Sequence, residues 1–151
     1  MDISKKSDYA IRAILELASS EAPSLTTEQI ATAQQIPQHF LENIMLDLRR
    51  ADMIITQRGP GGGCRLAQPA SEITLADIVR AVDGPLLRVQ GARPEAIAFD
   101  GVAAPLRDVW IAVRVSIRLV LEATTVADMI EGRLPANVMA LLEQRGAYGR
   151  N

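Results

Sequence analysis

Cysteine and histidine each occur only once in the 151 residues, as Cys64 and His39. A single cysteine rules out an intramolecular disulfide framework and suits a reducing compartment, so a cytoplasmic protein is expected. A single histidine removes most His-based catalytic constellations and metal sites, and no GxxxxGK[ST] loop is present to cradle a phosphate. No enzyme and no metal site is expected; Asp8, Glu95 and Asp100 lie at unrelated spacings and read as solvated carboxylates. No run reaches the roughly 18 consecutive apolar residues of a membrane helix, and Met1-Asp2-Ile3-Ser4-Lys5-Lys6 leads into no signal-peptide hydrophobic stretch. Positive charge is also scarce, with 16 Lys and Arg against 18 Asp and Glu, so indiscriminate attraction to polyanions is excluded. A focused basic footprint is not. The length suits one domain, or a small domain with an appendage, and is enough to bury a core.

The most informative stretch runs from Ile54 to Ala67. Two short β-like segments, Ile54-Ile55-Thr56-Gln57 and Cys64-Arg65-Leu66-Ala67, flank Arg58-Gly59-Pro60-Gly61-Gly62-Gly63. Four glycines and a proline let the backbone turn through positive φ and approach another surface closely, so the segment reads as a β-hairpin wing. Its tip presents Arg58 where a guanidinium reaches a phosphate or a narrow minor groove. The segment before it reads as a helix-turn-helix. Thr26 with Gln29 forms a capping box that starts a helix to about Gln34, and Ile36-Pro37 breaks it. A second helix follows from Pro37 to about Ala51, with Pro37 in its first turn. Phe40, Leu41, Ile44, Met45 and Leu48 recur at three and four residues as its buried stripe.

Gln38, His39, Glu42, Asn43, Arg49 and Arg50 fall on the opposite face of that helix. Hydrogen-bonding groups near its start and cations near its end match a helix entering a major groove, whereas an isolated helix with this face would read as merely solvated. From Arg49 to Gln68, Arg49, Arg50, Arg58 and Arg65 stand against Asp52, a local net of +3, and Lys5 and Lys6 offer a second contact at the first helix. Elsewhere, Ser4 to about Ser20 reads as the first helix, and Thr74 with Asp77 caps a helix that Gly84-Pro85 ends. Leu87–Pro105 reads as a loop. From Leu106 to about Ala123, Leu106, Val109, Trp110, Val113, Ile117 and Val120 repeat at helical spacing. Such a helix of roughly 18 residues spans about 27 Å, more than a small core needs, so its stripe either pairs with a second copy or folds back on its own subunit. Thr125 with Asp128 caps a short helix, and Pro135 to Gln144 forms the last one.

From Ile3 to Leu86 the chain resembles the Rrf2 family of bacterial winged-helix transcription regulators. The resemblance rests on Ser7-Asp8-Tyr9-Ala10-Ile11-Arg12-Ala13, Phe40-Leu41-Glu42-Asn43-Ile44, Arg58-Gly59-Pro60-Gly61-Gly62-Gly63, and Ile73-Thr74-Leu75-Ala76-Asp77-Ile78-Val79 leading to Asp83-Gly84-Pro85-Leu86. Leu106-Arg107-Asp108-Val109-Trp110 extends it. The resemblance implies a mainly α fold with a small wing: a winged helix-turn-helix DNA-binding domain over 1–86, a loop over 87–105, and a dimerisation helix with C-terminal helices over 106–151. It implies a homodimer acting on double-stranded DNA at a pseudo-palindromic operator, with repression the expected outcome and activation left open. The expected DNA-binding set is Lys5, Thr27, Pro37, Gln38, His39, Glu42, Asn43, Arg49, Arg50, Arg58, Gly59, Gly61 and Arg65. In cluster-binding relatives a glutamate matching Glu42 selects the base, which fits acceptance from a cytosine amino group.

The chain departs from those relatives in the loop. They carry three cysteines there as soft ligands for an iron–sulfur cluster, and Leu87–Pro105 has neither cysteine nor histidine, so no cysteine-ligated cluster is expected at this site. Two substitutes present themselves. Cys64 beside Arg65 is a candidate redox sensor if the cation favours its thiolate, the alternative being a small wing side chain where family members often carry tyrosine. A small-molecule effector between the loop and the long helix is the other, with Phe99 and Trp110 lining an apolar pocket or serving as ordinary core. A winged-helix module that binds protein rather than DNA is the competing functional class.

Overall fold

The computed structural model describes residues 2–149. Its elements in chain order are α1 (Lys5–Ser19), α2 (Thr27–Gln34), α3 (Gln38–Arg50), β1 (Ile54–Gln57), β2 (Gly63–Leu66), α4 (Leu75–Asp83), α5 (Leu106–Leu121), α6 (Val126–Glu131) and α7 (Ala136–Leu142). Local chemistry sets most of the starts. Thr26, Thr74 and Thr125 each accept from the backbone N–H three residues on, and Gln29, Asp77 and Asp128 return the bond, completing three capping boxes. Ser4 caps α1 by accepting from the Ser7 N–H. Between α2 and α3 the chain turns at Gln35 in the left-handed region, φ 54°, and Ile36 drops into the core. Pro37 is the N-cap of α3 rather than part of its first turn, so the helix begins one residue later than expected.

One core joins α1, α2, α3, α4 and the wing. Ala10, Ala13 and Ile14 of α1 meet Ile30 of α2, Leu41, Ile44 and Leu48 of α3 and Ile78 of α4, all essentially without exposed surface. Burial of such large aliphatic side chains contributes about 1.5–3 kcal/mol each, and this supplies the main drive for the fold. Phe40 does not join the stripe. It is 39% exposed and meets the edge of Tyr9, with ring centroids 5.7 Å apart and planes at 89°. Its periodicity points inward, but the Tyr9 contact leaves it only partly covered.

The wing is a two-stranded antiparallel hairpin in the register Ile54↔Leu66, Ile55↔Arg65, Thr56↔Cys64 and Gln57↔Gly63. It is tied to the helices from the other side. Cys64 exchanges backbone hydrogen bonds with Leu25, just ahead of the α2 cap, at 2.7 and 2.9 Å. Gly63 makes this approach possible: a Cβ there would lie 2.7 Å from the Leu25 carbonyl oxygen.

The start of α1 is pinned to the end of α4. Asp83 accepts from the hydroxyls of Ser4 and Ser7, and the Lys6 ammonium donates to the Val82 carbonyl at 2.7 Å. Lys6 also pairs with Asp47 of α3 at 2.8 Å, so it ties helices together instead of offering the free second contact expected for it. The loop after α4 holds single 3-10 turns at Pro94–Ala96 and Gly101–Ala103. Beyond α5 the chain returns to the core: Val126 is fully buried there, and Thr125 bridges Thr74. Among the described residues no helix is long and apolar enough to cross a membrane.

Candidate nucleic-acid interface

The outward face of α3 is open along its length. Gln38, His39, Glu42, Asn43, Arg49 and Arg50 are all exposed, whereas Leu41, Ile44, Met45 and Leu48 on the other side are buried. The polar groups of this face engage mainly their own helix and only at long range: Gln38 donates to Glu42 at 3.4 Å, Asn43 to the His39 carbonyl at 3.4 Å, and Arg50 to Asp47 at 3.4 Å. Pro37 supplies no side-chain acceptor to the first N–H groups of α3, which leaves a partially positive helix end facing outward.

The wing stands beside this face. Glu42, Asn43 and Arg49 of α3, Thr27 of α2 and Thr56 and Cys64 of the wing line a shallow groove of about 360 Å³. The fold therefore brings Thr27, Glu42, Asn43 and Arg49 together. Arg58, Gly59, Pro60 and Gly61 project as the exposed tip, with φ of 96° at Gly59 and 73° at Gly61, a conformation glycine adopts without strain. Arg65 is exposed on β2 and Lys5 on α1. Arg49, Arg58, Arg65 and Lys5 make no ion pair among the described residues. Thr56 lines the groove unanticipated by the sequence; as one residue of a short strand it carries no signal until the strand docks against α3.

Burial at Cys64 favours the small wing side chain over the redox sensor, the two alternatives that its sequence position leaves open. Cys64 is 6% exposed, and burial pushes its pKa up, against the opposing effects of the Thr27 hydroxyl and the Arg49 charge. Arg65 follows it in the strand and points to the opposite face. Phe99 and Trp110, candidates for an effector pocket or for ordinary core, line neither the groove beside α3 nor a second cavity. That second cavity, about 490 Å³, is lined by other residues, among them Arg80, Arg93 and Arg114.

Residues 3–132 match the sequence profile of the Rrf2 family, described as iron-dependent transcriptional regulators. The chain belongs to the Rrf2 family. The Mycobacterium tuberculosis protein Rv1287, named among HTH-type transcriptional regulators, is 40% identical over 144 residues, 95% of this chain and 89% of that protein. The transcriptional regulator CymR of Bacillus subtilis is 32% identical over 85% of this chain and 89% of its own. Its solved structure, described as that of the global cysteine regulator, superposes with a TM-score of 0.74, covering 87% of this chain and 98% of that one. The T. potens IscR structure gives 0.71 at 28% identity, covering 93% and 96%. This Rrf2 protein is thus a winged-helix, DNA-binding transcriptional regulator, and its relatives are regulators rather than enzymes.

The family description names iron, and the donor set here does not fit a thiolate-held cluster. Cys64 is the sole cysteine and lies beneath the wing, His39 is on α3, and Leu87–Pro105 contains neither residue type. Glu95 is paired with Arg114 and Asp8 with Arg12 at 3.2 Å, which occupies two of the three carboxylates considered as oxygen ligands.

Proposed function

We propose that the protein is a cytoplasmic homodimer that reads a pseudo-palindromic operator and represses transcription by occupying promoter DNA. In this reading the N-terminal half of α3 enters the major groove, with Gln38, His39, Glu42 and Asn43 at base edges or adjacent phosphates. Arg49, Arg50, Arg58, Arg65 and Lys5 contact the backbone, and Gly59 and Gly61 let the wing tip approach it. The observation that carries it is the uncovered α3 face beside a wing whose Arg58 has no ion-pair partner among the described residues. Such a reader does not need the cysteine-ligated cluster of its relatives.

Dimerisation through α5 is supported by its lack of burial. None of its 16 residues is buried in the single chain, and Val109 and Leu119 are 51% and 62% exposed. Leu106 is also exposed, while Trp110, Val113, Ile117 and Val120 are half-buried against their own subunit. Val115 and Leu119 stand roughly opposite that stripe at about 100° per residue, so α5 has apolar surface left over for a partner. Met139, Leu141 and Leu142 of α7 are exposed as well.

Two substitutions separate the roles on DNA. Arg58→Ala should weaken binding to matched and unmatched DNA alike. Glu42→Ala should relax the preference by about 1–3 kcal/mol at one base pair with little loss on unmatched sites. Equal losses on matched and mismatched sites for Glu42→Ala would remove its role as a selectivity element.

A further inference from the structure

A cavity of about 490 Å³ lies between α4, the loop after it and α5, and none of its lining residues belongs to the DNA-binding set. Four arginines line it from three segments: Arg80 of α4, Arg93 of the following loop, and Arg114 and Arg118 of α5. Arg88 is close to the wall without lining the cavity, its Nη2 lying 3.1 Å from where a Cβ on Gly84 would sit. Three carboxylates answer them. Glu95 pairs with Arg114, Glu122 with both Arg80 and Arg118, and Asp77 reaches Arg80 at 3.4 Å. Four guanidinium groups against three carboxylates leave one positive charge in excess at the cavity, in a chain whose total is −2. Arg88 and Arg93 form no ion pair among the described residues.

A second observation points to a missing acceptor. The Nε of Arg114 is buried and has no hydrogen-bond partner among the described residues. Buried donors are nearly always satisfied by protein, ordered water or a bound group, and a ligand oxygen in this cavity would satisfy this one. Guanidinium forks accept carboxylate and phosphate oxygens in pairs, and Pro85, Leu86 and Leu87 add an apolar wall to the same cavity. We infer that this cavity is an effector site for a small dianion, a dicarboxylate or phosphate carried on a short aliphatic body.

The wall connects to the DNA-facing side through contacts already described. Gly84 follows Asp83, which holds Ser4 and Ser7 of α1, and Lys6 links the Val82 carbonyl to Asp47 of α3. An anion that draws the Gly84–Leu87 turn toward the arginines acts on the anchor of the recognition helix. This regulatory role rests on the DNA-binding reading above, whereas binding to the cavity does not.

The test titrates the full chain, without DNA, with inorganic phosphate and with succinate, at ionic strength held constant with sodium chloride, and reads heat and melting temperature. Saturable binding of either probe is expected, and the tighter of the two assigns the headgroup. Arg114→Gln should raise the dissociation constant by about tenfold or more. Arg93→Gln, which breaks no ion pair, should do the same in a chain that melts like the wild type. No saturable binding, as would follow if a carboxylate of a second copy fills the cavity, overturns the proposal, as does binding unchanged in both variants. With operator DNA present, the ligand should shift wild-type affinity and leave that of Arg93→Gln unmoved; binding without such a shift would end the effector role alone.

Discussion

The thiol of Cys64 sits beneath β2 against the Thr27 hydroxyl, and the desolvation that raises its pKa also closes it to reagents. The sign is clear: a raised thiol pKa moves the thiolate to higher pH than for an ordinary cysteine, so at neutral pH the group is protonated as well as buried. In the folded protein Cys64 should react with a disulfide reagent at least about tenfold more slowly than in denaturant, and the rate should climb only at strongly alkaline pH. Rapid reaction of the native protein near pH 7 would return Cys64 to the position of sensor. Arg65 adjoins Cys64 in sequence, but successive strand residues point to opposite faces, and the pairing inferred from adjacency fails for that reason. Lys6 and Phe40 fail differently. One is claimed by Asp47 and the other left open, and both outcomes depend on elements far away in the chain.

At the scale of elements, the helix starts are legible because their chemistry is local. Each of the three capping boxes needs only a threonine and an acceptor three residues later, and each forms as the spacing predicts. The wing is legible too, down to the glycines of its tip, but its anchoring is not. The bridge from Cys64 to Leu25 pairs residues 39 positions apart, and nothing in the strand pattern announces it. Gly63 is the residue on which the bridge turns. Gly63→Ala would place a methyl against the Leu25 backbone and should cost about 1–3 kcal/mol, read by thermal or urea denaturation. The same variant should weaken DNA binding beyond the stability loss, because the wing must move away from α2. An unchanged midpoint would show that the strand relaxes freely and that the bridge does not fix the wing.

At the scale of the whole molecule, the charge is divided into separate regions. The net of −2 hides two positive concentrations, one running from α3 into the wing and one in the cavity between α4 and α5. The first was legible because its arginines are close in sequence and its elements adjoin. The second was not, because Arg80, Arg93 and Arg114 are brought together only when α5 folds back across α4. The same return carries Val126 into the core, so the C-terminal third supports the recognition fold as well as extending beyond it. On α5, periodicity marks a stripe that the structure half-covers, and the exposure of Val115 and Leu119 depends on how the rest of the subunit packs against that helix.

The most direct measurement of the central claim is a titration of the purified protein against DNA from its own promoter region at about 50 and 200 mM salt. Two protomers per site should bind, with an affinity that falls by about 10³–10⁵ between those conditions, as expected if the five cations of each protomer's α1, α3 and wing engage phosphates. Binding that ignores salt, or none to that region or to selected sequences, would contradict the account and leave the exposed α3 face as a surface for another protein.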